Sequence, residues 1–144
     1  MSLPRTWRPL GVRLAGLLFG GMLVVVILAS WFLWDDDIRA KFTMLQKITV
    51  VGLFGLLYAA GYALARSRVE ARTDRLVVVN GYRKRELEWA EVIAVNLPPG
   101  APWAVLDLAD GTSAPAMGIQ GSDGARARTA VRELRVVLAD RSAI

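Results

Sequence analysis

Two long uncharged runs dominate the first half of the chain. Leu14 to Trp34 reads LAGLLFGGMLVVVILASWFLW, and Ile48 to Ala65 reads ITVVGLFGLLYAAGYALA. At a helical rise of about 1.5 Å per residue these runs measure about 31 and 27 Å, enough to cross a hydrocarbon core of about 30 Å. Neither run carries a polar face, as a helix at the surface of a soluble core would. The pattern predicts two transmembrane helices, 14–34 and 48–65, joined by a short link, 35–47, as a helical hairpin. A cleaved signal sequence is the competing reading of the first run. Its apolar stretch exceeds the usual 7–15 residues of such a segment, and a second span follows.

Beyond residue 65 the period changes from run to alternation. Leu76 to Val79 is a β-branched strand that enters an Asn80-Gly81 hairpin signal, and Arg83 to Trp89 returns from it. Val92–Leu97, Trp103–Leu108 and Thr112–Ala116 follow as strands, separated by Pro98-Pro99-Gly100 and Asp110-Gly111. After Met117-Gly118 the pattern turns helical, with Ser122 or Asp123 as the expected cap. Ala127, Ala130, Val131, Leu134, Val137 and Leu138 recur at spacings of three and four, an apolar stripe. The expected fold is α+β: an antiparallel meander of five or six strands, a small β-barrel or half-barrel plugged by a C-terminal amphipathic helix.

Composition sharpens this division. Apolar residues make up 54% of the chain, above the roughly 45–50% of an ordinary soluble domain, and the excess sits in the two runs. Cys and His are both absent. That excludes a disulfide framework, Cys/His-held zinc or haem, and any nucleophile–histidine mechanism. No cofactor is expected. Glu86, Glu88, Glu91 and Asp107 are the carboxylates left for acid–base work, with no paired partner to suggest it. Asp35-Asp36-Asp37 reads as a solvated turn of the link; a cation cage needs more converging oxygens than one tripeptide offers.

The net charge of +5 is distributed with purpose. Arg5, Arg8 and Arg13 precede the first run, and Arg66, Arg68, Arg72 and Arg75 follow the second, whereas the link mixes Arg39 and Lys41 with three Asp. Basic flanks face the cytoplasm. The expected arrangement is multi-pass in the plasma membrane, with residues 1–13 and the domain at 66–144 both cytoplasmic. Arg66, Arg68, Arg72, Arg75, Arg83, Lys84 and Arg85 form a basic block beside the membrane, the candidate contact for anionic lipid head groups or a protein partner. A solvated strand end, basic for orientation alone, explains the same residues. No recognition helix or stacking series of aromatics accompanies the arginines, so nucleic acid is not an expected partner.

Gly16 and Gly20 in the first run, and Gly61 and Ala65 in the second, have the small-xxx-small spacing that lets membrane helices approach closely. They are the candidate helix-packing positions. Packing within one hairpin and homo-oligomerisation remain open alternatives.

Residues 69–119 resemble the bacterial PH-like domain of small actinobacterial membrane proteins, the low-molecular-weight protein antigen type. The elements that carry the resemblance come in order: Thr73-Asp74-Arg75-Leu76, Arg83-Lys84-Arg85, Leu87-Glu88-Trp89-Ala90-Glu91-Val92, Ala101-Pro102-Trp103 and Leu106-Asp107-Leu108-Ala109-Asp110-Gly111. The resemblance implies a bent sheet capped by a helix on a two-helix anchor, with Trp89 in the core. It implies no catalytic residues and carries no lipid site across, because Arg83-Lys84-Arg85 does not match the eukaryotic phosphoinositide pattern. Two functions fit. One is a non-catalytic, membrane-anchored binding or scaffold module at the inner face of the membrane. The alternative is a small subunit of a larger envelope or transport assembly, docked through its transmembrane helices.

Overall fold

The structure, a computed structural model, describes residues 2–144. Helices α1 (Gly11–Leu33) and α3 (Met44–Arg66) form the hairpin, with a short α2 (Asp36–Ala40) between them. Both long helices are apolar enough to cross a membrane by length and composition, and neither buries a single residue inside the protein. Leu17, Leu33 and Leu45 are 77%, 82% and 73% exposed. Core helices of a soluble protein would be covered on at least one face, and these are not.

The link end of the hairpin is closed by aromatic rings. Phe42 stacks on Trp34 with centroids 5.6 Å apart and meets Trp31 edge-on at 6.0 Å. Lys47 lies 5.4 Å above the Trp31 ring. Thr43 and Gln46 form a reciprocal capping box at the start of α3, satisfying two backbone donors that would otherwise lack partners.

Seven strands and one helix make the domain. One antiparallel sheet runs β1-β2-β3-β4, formed by Arg5–Trp7, Arg68–Ala71, Arg75–Asn80 and Arg83–Glu88. A second runs β5-β6-β7, formed by Val92–Asn96, Trp103–Leu108 and Ser113–Gln120. Helix α4 (Ala125–Ser142) buries the six residues of the predicted stripe against them. Two sheets closed by a C-terminal helix match the expected PH-like architecture.

Strand β1 was not anticipated. It precedes the hairpin in sequence, yet it pairs with β2, which follows it, in the register Arg5↔Ala71, Thr6↔Glu70 and Trp7↔Val69. The two helices are thus an insertion between the first two strands of one sheet. Trp7 is buried, and its indole N–H donates to Glu133 Oε2 on α4 at 2.8 Å. Arg5 binds Oε1 of the same carboxylate at 2.6 Å. One glutamate on α4 therefore holds both ends of a three-residue strand.

Strand β3 is buried on both faces. Leu76 and Val78 enter the core between the sheets, while Val77 and Val79 lie on the outer face. Charged side chains of β2, β4, the β2–β3 turn and the start of β3 form ion pairs over that outer face. Arg68 and Arg72 both bind Glu70, and Lys84 and Arg75 both bind Glu86. Val77 is paired to Glu70 and Glu86, so the aliphatic stems of the ion network shield it.

Three local expectations are corrected. The β3–β4 turn consists of Gly81-Tyr82, not Asn80-Gly81; Asn80 and Arg83 form the last cross-strand pair. Gly81 supplies the positive φ of 62° that the turn needs, while the Asn80 side chain bridges the sheets, donating to Pro115 O at 2.7 Å and accepting from Met117 N at 2.9 Å. Gly118 does not end the strand region but lies inside β7, where a Cβ would sit 2.5 Å from the backbone of Arg68. It is glycine because the two sheets cross there. Finally, α4 begins after Gly124 with no side-chain cap, and Asp123 serves a different helix, as described below.

Candidate functional site

The end of the hairpin where the domain sits gathers the residues of interest. Only Arg8, Pro9 and Leu10 separate β1 from α1, and only Ser67 separates α3 from β2. With connections this short the domain has no free tether. Three further contacts fix it. Asp123 Oδ2 and Oδ1 accept the backbone N–H groups of Leu10 and Gly11 at 2.9 and 2.7 Å. The buried Ser67 hydroxyl accepts Gly81 N–H at 2.9 Å and donates to Ala63 O at 2.9 Å. The Tyr82 hydroxyl donates to Ala59 O on α3 at 2.8 Å.

The pleat divides the basic block predicted from sequence. Successive residues of a strand point to opposite faces, so Arg83-Lys84-Arg85 cannot act as one patch. Lys84 lies on the outer face with Glu86 at 2.6 Å. Arg83 and Arg85 share the face of Leu87, which enters the core. Arg75 binds Asp74 and Glu86, and Arg68 and Arg72 share Glu70. These pairings hold the carboxyls of Glu70, Asp74 and Glu86 below their ordinary range. The Arg68 hydrogen bond is the first cause for Glu70, Arg75 for Asp74 and Lys84 for Glu86. Much of the predicted charge is therefore neutralised within the sheet.

Among the described residues, Arg8, Arg13, Arg66 and Arg83 have no carboxylate within ion-pair distance. All four lie near the helix–domain junction. Arg66 rests 5.3 Å above the Tyr82 ring, and Tyr82 is 6.5 Å from Tyr62 of α3. The sequence reading named Arg66 and Arg83 as contacts but used Arg8 and Arg13 only for orientation, and it missed Tyr82. The signal for Tyr82 was present as an aromatic residue set between the Asn80-Gly81 turn signal and the charged Arg83-Lys84-Arg85.

The carboxylates considered for catalysis have structural occupations. Glu86 carries Lys84 and Arg75, Glu91 accepts Glu88 N–H at 2.7 Å, and Asp107 accepts Asn96 Nδ2 at 2.7 Å. Among the described residues no cluster of three metal-ligating side chains occurs. Trp89 is buried at the foot of β4 and donates its indole N–H to Arg72 O at 3.2 Å, which ties the β2–β3 turn to the core.

The candidate helix-packing residues separate into two groups. Gly20 touches Tyr58, whose hydroxyl donates to Gly20 O, so this position joins α1 to α3. Gly16 and Gly61 face open space, and with Gly20 and Ala65 they line a groove of about 490 Å³ between the helices.

Residues 66–136 match the family model described as bacterial PH domain. An uncharacterized protein of Mycobacterium bovis is 40% identical over 90 residues, covering 62% of this chain and 58% of the relative. Uncharacterized proteins of two Mycobacterium tuberculosis strains match with the same identity and coverage. The chain thus spans less than two thirds of the length of the curated relatives it matches. No solved structure matches significantly. The family match begins at the last residue of α3 and so leaves out β1.

Proposed function

We propose that this protein, whose residues 66–136 match the bacterial PH domain model and follow an apolar two-helix hairpin, is a membrane-anchored, non-catalytic binding or scaffold module. Its hairpin spans the plasma membrane, and its domain holds a protein partner or anionic lipid at the cytoplasmic face. The pairing of β1 with β2 carries the reading. A hairpin that crosses the bilayer twice would return both flanking strands to one side, as their pairing in one sheet requires. The flanks bear Arg5, Arg8 and Arg13 on one side and Arg66 on the other, the bias that marks a cytoplasmic face.

Crosslinking pull-down of the full chain from native membranes tests this, with Arg83→Glu/Arg85→Glu as the paired control. Partners recovered by the wild type and lost by the double variant support recognition on that face. Recovery of no partner, together with unchanged retention on neutral and anionic vesicles, overturns the binding role. A second reading, a small subunit of a larger membrane assembly, is favoured by one observation: Gly16 and Gly61 leave an open, small-residue groove where another helix fits. Extraction in mild detergent as a monomer only would remove it.

A further inference from the structure

Tyr82 is placed where a soluble hairpin tip has no reason to carry an aromatic ring. It is 61% exposed, and its hydroxyl donates to the carbonyl of Ala59. Ala59 lies seven residues inside the end of α3, about 10 Å along the helix axis. It also lies six residues inside the uncharged run that ends at Ala65. The tip is held at that level by buried contacts: Gly81 N–H on Ser67, and Gly81 against the Ala63 side chain, where an added Cβ would approach to 3.3 Å.

The hairpin cannot slide to bring this tip into water. The uncharged runs of α1 and α3 match the thickness of a bilayer core with little to spare, about 31 and 27 Å against about 30 Å. Moving them towards the domain would drag Lys47 into hydrocarbon at the far end and expose Ala59 to Ala65 at the near end. A phenol whose hydroxyl is satisfied by a helix carbonyl suits the boundary between head groups and acyl chains, where tyrosine is enriched. Tyr62, 63% exposed, extends the aromatic surface along α3. Arg66 above the ring and Arg83 directly after it are cations without carboxylate partners at the same end.

We propose that the Gly81–Tyr82 tip is a third membrane contact of this protein, with Tyr82 seated at the head group–acyl boundary of a phospholipid bilayer and Arg66 and Arg83 against lipid phosphates. The inference rests on the reading that α1 and α3 span the membrane. It makes the PH-like domain a body pressed against the bilayer by its β3–β4 end.

The absence of cysteine makes the test direct, since single cysteines can be labelled with an environment-sensitive fluorophore in the full chain. The variants are Tyr82→Cys at the tip, Leu56→Cys inside α3, and Thr73→Cys in the β2–β3 turn, roughly 15–20 Å along β2 from the junction. Each is reconstituted in phosphatidylcholine–phosphatidylglycerol vesicles whose acyl chains are brominated. The expected result is quenching at positions 56 and 82, about twofold at the tip, with none at 73. Arg83→Cys, which leaves Tyr82 in place, gives the same reading if the tip tolerates no label. Quenching at 56 with positions 82 and 83 as bright as 73 overturns the third contact and leaves the spanning hairpin intact. No quenching at 56 overturns the spanning reading itself, and the tip contact with it.

Discussion

Asp123 caps a helix that begins 112 residues before it: its two carboxylate oxygens accept the N–H groups of Leu10 and Gly11 at 2.9 and 2.7 Å. The first turn of a helix has donors without intrahelical partners and a partial positive charge, and α1 has neither a side-chain cap of its own nor an acidic residue in its first turn. The domain supplies both from outside. Asp123→Ala is expected to cost about 1–2 kcal/mol, the range of a lost cap with its charge. Amide exchange at residues 10–14 should rise severalfold, while residues 105–108 in β6 stay protected. Unchanged exchange at residues 10–14 would show the contact to be idle.

Glu133 is the corresponding hold on β1. Its replacement by Ala leaves the Trp7 indole N–H and the Arg5 guanidinium without their acceptor, at a cost of about 1–3 kcal/mol. Exchange should rise together in residues 5–7 and 69–71, because β1 covers that edge of β2. A rise in only one of the two segments would contradict their pairing as a unit.

Ser67 joins α3 to the sheet through a hydroxyl that serves two groups at once. Ser67→Ala removes the acceptor of a buried Gly81 N–H, for an expected loss of about 1–3 kcal/mol in chemical denaturation of the full chain in detergent. Ser122→Ala, at an exposed position, should be neutral within about 0.5 kcal/mol.

Glu70 sets an acid limit. Its carboxyl titrates below the ordinary value of 4.5, first because Arg68 hydrogen-bonds it and further because Arg72 does, against an opposing push from burial. A carboxyl with a lowered folded value contributes stability above its unfolded value and loses it as pH falls through the folded one. The melting temperature should therefore drop as pH falls below about 4.5, and Glu70→Gln should flatten that part of the profile. Equal slopes in the two proteins would assign the acid sensitivity elsewhere.

Elements with a long, regular period were legible in the sequence. The two apolar runs, the strands from Leu76 to Leu108 and the stripe of α4 all emerged from periodicity. What stayed hidden depends on contacts distant in sequence. Arg5–Trp7 is too short to show an alternation, and its partner lies beyond the whole hairpin. Asp123 stands just where a cap for α4 belongs, and only the fold turns it towards α1. Asn80 carries the composition of a turn, but its side chain is required between the sheets. The basic block was visible as charge; its division by the pleat and its neutralisation by Glu70 and Glu86 were not, because both depend on register.

The insertion of the hairpin between β1 and β2 has a consequence for biogenesis. The first strand leaves the ribosome before either helix, yet it finds its partner only after about 60 further residues have been made. If both helices cross the bilayer, the two strands meet on one side. If one helix fails to insert, they are separated by the membrane, and β2 keeps an open edge at Val69 and Ala71. Completion of the sheet is thus incompatible with insertion of one helix alone, and the β1–β2 pairing couples the fate of the two helices.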